Sequence, residues 1–208
     1  MNLFQDIKSV VSSPSLFFDQ QSHNPKIKKG AVVALFCYVI SFLVESLVAL
    51  CTKPEIKQML DMINGSGTAI IMGMVAFVCL SVITIIFIAI GLGIWSALIH
   101  LSAKIFGGRG EYKSLVTCLL FVQVISLAIL PLSLLDLLNK AALESFELII
   151  GVLCIVVLAC FILWSLYLNM LIIKKCYLLS SGKAIGALIL PAIVLLVLTS
   201  SMFIAAAR

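Results

Sequence analysis

The chain has 208 residues, of which 63% are hydrophobic and 11% charged, with a net charge of +5 and a mean hydropathy of +1.26. Soluble domains carry about 25% charged residues, so this composition excludes a soluble enzyme, and the polar stretches are too short to build a second core. The class it implies is all-α: a polytopic integral membrane protein with five transmembrane helices, N-terminus cytoplasmic and C-terminus outside.

Residues 1–29 read as an N-terminal amphipathic, interfacial segment and a basic linker, ahead of a membrane domain at 30–208. Leu3, Phe4, Ile7, Val10 and Val11 recur at helical spacing until Pro14 stops the pattern. Such a stretch directly before a span is expected to lie in the interface plane; the alternative is a disordered tail that happens to hold apolar residues. Asp6 and Lys8 stand where the apolar core of a signal peptide would begin, so none is expected. Residues 20–29 form a polar linker with Lys26, Lys28 and Lys29.

The first span covers about 30–51 and contains Glu45, an ionisable group some fifteen residues into an apolar run. At that depth a charge costs on the order of 2.5–3.5 kcal/mol, which makes it a functional candidate by default. No Lys or Arg lies at its level, so the carboxyl is expected to be neutral or to reach outward to water. The hydroxyls of Thr199, Ser200 and Ser201 are its candidate partners. A proton- or cation-handling role and a carboxyl that simply snorkels stand side by side.

A polar loop with Pro54 and a short helix over 55–63 lead to the second span, 68–106. From Met62 to Ala103 there is no Asp, Glu, Lys or Arg, and eighteen such residues already suffice for a crossing. A helix over 69–103 would be about 52 Å long against about 30 Å of hydrocarbon, so it must tilt, bend or project. Gly91 and Gly93 are the expected bend and a place for a neighbour to approach closely.

The second span ends in Gly107-Gly108-Arg109-Gly110. With no preceding strand and no Gly-Lys-Ser/Thr ending, this is not a phosphate loop; a tight turn using positive φ is the expectation for its glycines. Lys104, Arg109 and Lys113, with Lys174 and Lys175, are candidates for contact with lipid phosphates or an acidic partner, or they serve topology alone.

The third span covers about 115–135 and is interrupted by Pro131. A short acidic loop leads to span four, about 148–173, and span five covers about 184–207 with Pro191 near its start. His100, Gln123 and Asn169 form an expected inner polar level, either tying helices together at about 0.6 kcal/mol per contact or lining a substrate site. Tyr112, Tyr167 and Tyr177 suit a headgroup belt.

Five crossings with the N-terminus inside place Lys8, Lys26, Lys28, Lys29, Lys104, Arg109, Lys113, Lys174, Lys175 and Lys183 on the cytoplasmic face, and Lys53, Lys57, Lys140 and Arg208 outside. Ten against four follows the positive-inside rule. The seven cysteines show no CxxC pair and no zinc-ligand spacing, so no metal or cofactor is expected, and the thiols read as reduced.

This layout resembles the Yip domain family, the Ypt/Rab-interacting membrane proteins. The likeness rests on Ser13-Pro14-Ser15-Leu16-Phe17-Phe18 before span one, on Ile105-Phe106-Gly107-Gly108-Arg109-Gly110-Glu111-Tyr112-Lys113 after span two, and on Val124-Ile125-Ser126-Leu127-Ala128-Ile129-Leu130-Pro131 in span three. The glycine turn is similar to that of prokaryotic members. The Asp-Leu-Tyr-Gly-Pro signature and long N-terminal region of eukaryotic members are absent, and in span three Gln123-Val124 replaces the family's usual Gly-Tyr, so small-GTPase binding is not carried over. The resemblance implies a non-enzymatic protein of a prokaryotic plasma membrane that organises membrane or recruits partners, with a role in membrane trafficking in eukaryotic relatives. It would act as a homo-oligomer in contact with the bilayer and anionic lipid headgroups, and no nucleic acid is expected. Gly91, Gly93, Gly151, Gly186 and Ala187 would make the contacts between copies. The rival reading is a small-solute, ion or lipid transporter using Glu45 and the inner polar level.

Overall fold

The computed structural model describes residues 3–52, 67–130 and 147–206, and all regular structure among them is helical. In chain order come α1 (Leu3–Ser12), α2 (Pro14–His23), α3 (Ile27–Thr52), α4 (Gly67–Ile105), α5 (Tyr112–Val122), a 3-10 segment (Gln123–Ile129), α6 (Glu147–Tyr177) and α7 (Ser181–Ala206). Four stretches are long and apolar enough to cross a membrane: Ile27–Ser46, Val78–Ile105, Gly151–Tyr177 and Ser181–Ser201. They match expected spans one, two, four and five.

The third expected span is found only in part. The apolar helical stretch Tyr112–Ile125 is shorter than the other four, and the backbone tightens to 3-10 geometry at Gln123. The tightening comes directly ahead of Pro131, a residue type that offers no backbone N–H and disfavours α geometry before it. Pro131 itself lies outside the described residues, as do the helix expected over 55–63 and most of the acidic loop.

The 39 residues of α4 run continuously through Gly91 and Gly93, about 58 Å at 1.5 Å per residue. The helix is not interrupted at these glycines. Among the described residues, a side chain built at Gly91, Gly93 or Gly151 would meet nothing within 4 Å. Gly186 differs, because the Phe106 ring packs 2.8 Å from where its Cβ would sit, and Ala187 is fully buried. These two small residues serve packing within the chain rather than between copies.

The chain divides into two compact units, one of residues 1–34, 91–122 and 165–208, the other of residues 35–90 and 123–164. In the second, the buried side chains among the described residues are few: Cys37, Ser41 and Val124. Large apolar side chains such as Leu80, Phe87 and Ile155 are exposed on its helices, as lipid-facing surfaces require.

Packing is concentrated in the first unit. Pro14 does not merely end α1; it opens α2 from the first-turn position that its fixed φ favours. The helix α2 then runs on to His23, so the linker expected over 20–29 shrinks to residues 24–26. The helices α1 and α2 pack on α5. Phe18 is fully buried, and the Phe17 ring meets Phe121 edge-on at 4.9 Å. Asp6, 1% exposed, accepts a hydrogen bond and ion pair from Lys29 Nζ at 2.8 Å, tying α1 to the start of α3.

If this packing holds the N-terminal helices down, Phe18→Ala should cost about 3–5 kcal/mol. Thermal unfolding of the purified chain in detergent would show it as a clear drop in Tm.

Candidate functional site

The glycine turn after α4 is built from three glycines with two different tasks. Gly107 has φ +84, donates its N–H to the Lys104 carbonyl at 3.0 Å, and is followed by Gly108, whose N–H reaches Ala103 O at 2.9 Å. This pair of bonds is the Schellman closure of a helix, in which a left-handed residue satisfies the last carbonyls. Gly108 and Gly110 do not use positive φ. Instead they let the chain lie flat on the end of α6. A Cβ on Gly108 would stand 2.8 Å from Tyr177 Cβ, and one on Gly110 would stand 2.0 Å from the Cys176 carbonyl oxygen. Between them Arg109 donates its backbone N–H to Tyr177 O at 3.2 Å. The expectation that these glycines serve one tight turn is corrected in this respect: only Gly107 supplies the unusual φ, and the other two supply clearance.

The end of α6 makes the longer-range of these two bonds without a glycine. Leu179 N–H reaches Lys174 O at 3.2 Å, and Leu178 takes the left-handed position at φ 55. For a residue with a Cβ this costs about 1–2 kcal/mol, and the Leu178 side chain is left 76% exposed.

Beneath the turn, Tyr177 is 1% exposed and hydrogen-bonded through its OH to His100 Nδ1. The His100 ring also meets the Tyr112 ring edge-on, with centroids 5.5 Å apart. Tyr112 OH lies 2.9 Å from Ser96 Oγ, which in turn donates to Gly93 O at 2.9 Å. Of the expected inner polar level, His100 and Asn169 fall in the first unit. His100 joins Tyr177, Tyr112 and Ser96. Asn169 donates from Nδ2 to Ser165 O of its own helix at 2.8 Å, and Gln123 opens the 3-10 segment in the other unit. Tyr177 is a core residue, whereas Tyr112 and Tyr167 are exposed.

Beside the turn lies a cleft of about 270 Å3 lined by Ser22, His23, Pro25, Arg109, Gly110, Glu111, Ser114, Lys175, Cys176 and Leu178. Its wall is fixed by polar contacts. Ser114 Oγ donates to Ser22 O at 3.0 Å, and Lys175 Nζ pairs with Asp19 Oδ1 at 3.0 Å. Behind it the Cys176 and Cys118 thiols touch at 3.6 Å. Lys104 and Lys113 are exposed and outside this lining; Lys174 Nζ reaches Ser181 Oγ at 3.1 Å.

A family model for the Yip1 domain matches residues 8–202. The chain belongs to the Yip1 domain family. Neither a curated protein nor a solved structure matches it. The match takes in the glycine turn and every helix that lines the cleft.

Glu45 is exposed on α3 and lines neither this cleft nor the apolar groove of about 200 Å3 formed by Tyr38, Val39, Phe42, Leu43, Ser81, Thr84 and Ile85. Thr199 and Ser200 spend their hydroxyls on carbonyls of their own helix, Leu195 and Leu196. Sequence reading missed His23, Asp19, Ser96 and the inward role of Tyr177. Their signal was weak: each is a common surface residue type, and only the fold brings positions 23, 109 and 175 to one place. Among the described residues no group of three metal-binding side chains occurs.

The glycine series tests this geometry through Tm in detergent. Gly110→Ala should cost about 3 kcal/mol or more, because backbone blocks the new methyl. Gly107→Ala should cost about 1–2 kcal/mol for its φ. Within a single chain Gly91→Ala should cost nothing, since alanine is the better helix former and the space is open.

Proposed function

We propose that this Yip1 family protein is non-enzymatic and organises the surrounding membrane or recruits partners at a basic face. It has its N-terminus in the cytoplasm and its C-terminus outside, in the plasma membrane of a prokaryote. The observation that carries this reading is the gathering of charge. The ten Lys and Arg residues assigned to the cytoplasmic side by sequence all fall in the one compact unit that also holds α1, α2 and the glycine turn. Excess positive charge beside span ends favours the cytoplasmic side and attracts anionic headgroups.

In this reading residues 1–29 form a platform attached to the membrane domain 30–208. Lys104, Arg109, Lys113, Lys174 and Lys175 face lipid phosphates or an acidic partner. Copies of the chain meet through the open glycine positions 91, 93 and 151, where close helix approach needs no rearrangement. Nothing in the placement of Glu45 favours the transporter reading.

Protease accessibility of terminal tags tests the orientation. An N-terminal tag should be cleaved in inside-out vesicles and a C-terminal tag in right-side-out vesicles; both cleaved from the same side would refute it. Liposomes carrying wild type or Glu45→Gln should leak small ions no faster than protein-free liposomes. Flux that depends on Glu45 would replace the proposal with transport.

A further inference from the structure

We propose that the cleft beside the glycine turn binds the phosphate of a membrane lipid headgroup, held by Arg109, Lys175 and His23. The proposal deepens the reading of a basic, lipid-facing surface. It replaces diffuse attraction with one built site and adds His23, which no sequence pattern pointed to.

Three observations lead there. The first is convergence. The end of α2, the glycine turn and the last turn of α6 each bring one cationic or protonatable side chain to the same wall. Arg109 is placed by its backbone, because its own N–H is bonded to Tyr177 O and its neighbour Gly110 lies against Cys176. Its guanidinium fork matches two phosphate oxygens at once. Lys175 is placed by its bond to Asp19 Oδ1, which leaves ammonium donors over for a second acceptor. The Ser114 hydroxyl proton is spent on Ser22 O, and that of Ser22 on Asp19 O at 2.7 Å. The cleft therefore offers charged donors and calls for a ligand made of acceptors.

The second is depth. The candidate spans end at Ile105 and Tyr177, and the next begins at Ser181. The cleft residues 109–111 and 175–178 sit at or just beyond those ends, at the level of headgroups. Leu178, 76% exposed at its rim, presents an apolar side chain where acyl chains begin. The third is size and charge. A cleft of about 270 Å3 falls below the roughly 300–1,000 Å3 of sites for drug-sized ligands. Glu111 in the lining opposes a doubly charged free phosphate more than the single charge of a phosphodiester.

The test uses the delipidated full-length chain in detergent, with binding read by native mass spectrometry and by ligand-induced rise in Tm. The probes are short-chain phosphatidylglycerol, diacylglycerol of the same chain length, and inorganic phosphate. Phosphatidylglycerol should bind at one site, inorganic phosphate about tenfold or more weakly, and diacylglycerol not at all. Arg109→Gln and Lys175→Gln should each weaken phosphatidylglycerol about tenfold. Lys183→Gln, exposed and outside the lining, should change it less than about twofold. The Arg109 side chain is exposed and its backbone anchor survives substitution, so Arg109→Gln should keep the ligand-free Tm of the wild type.

Equal binding of diacylglycerol would make this an acyl-chain contact. Tighter binding of inorganic phosphate would make it a soluble-anion site. Equal losses from Lys183→Gln and Arg109→Gln would leave only diffuse attraction. Each of these overturns the proposal. None bears on which way the chain faces, which the tag experiment decides separately.

Discussion

The described site depends on a backbone surface, the last carbonyls of α6, being open enough for another stretch of backbone to lie on it. Arg109 N–H on Tyr177 O is one ordinary hydrogen bond, worth about 1 kcal/mol net. What makes it possible is the absence of two side chains, at Gly108 and Gly110. From that contact follow the placement of Arg109, the start of α5, and the wall on which α2 closes the cleft. Tyr177 sits at the centre of the arrangement. Its carbonyl takes the turn, its ring fills the core, and its hydroxyl reaches His100.

The same unit joins two kinds of order. Apolar packing, led by Phe17, Phe18 and Phe121, holds the N-terminal helices to α5. Ion pairs at Asp6–Lys29 and Asp19–Lys175 fix how they meet the start of α3 and the end of α6. Exposed pairs contribute little stability, and Asp19 is half exposed, so its pair acts chiefly in placing a lysine. Asp6 is different, because a buried carboxylate without its lysine would be costly.

Much of this was legible in the sequence, for reasons that can be named. Long uncharged runs bounded by Lys and Arg mark membrane spans because hydrocarbon excludes charge, and α3, α4, α6 and α7 begin and end within a few residues of expectation. The glycine turn stood out by composition. What stayed hidden depended on distant partners. A glycine kept for clearance looks the same in sequence as one kept for φ, so Gly108 and Gly110 could not be told from Gly107. Glu45 attracted notice because of its depth, yet exposure on α3 is a property of helix rotation, which an all-round apolar sequence does not specify. His100 was expected in an inner polar level, but its partner Tyr177 lies 77 positions away. The fall from α to 3-10 geometry at Gln123 reflects local backbone chemistry that hydropathy does not carry.

Leu178 ties the turn to its surroundings in a further way. A left-handed leucine is strained, and with its side chain turned away from the rest of the protein nothing inside the molecule compensates. Oily surroundings would, because the same isobutyl group gains free energy on leaving water. The resilience of this corner is thus partly a property of the amphiphile around it: a bilayer that swallows the leucine should hold the α6 terminus, and the loop resting on it, more firmly than a small micelle that leaves it wet.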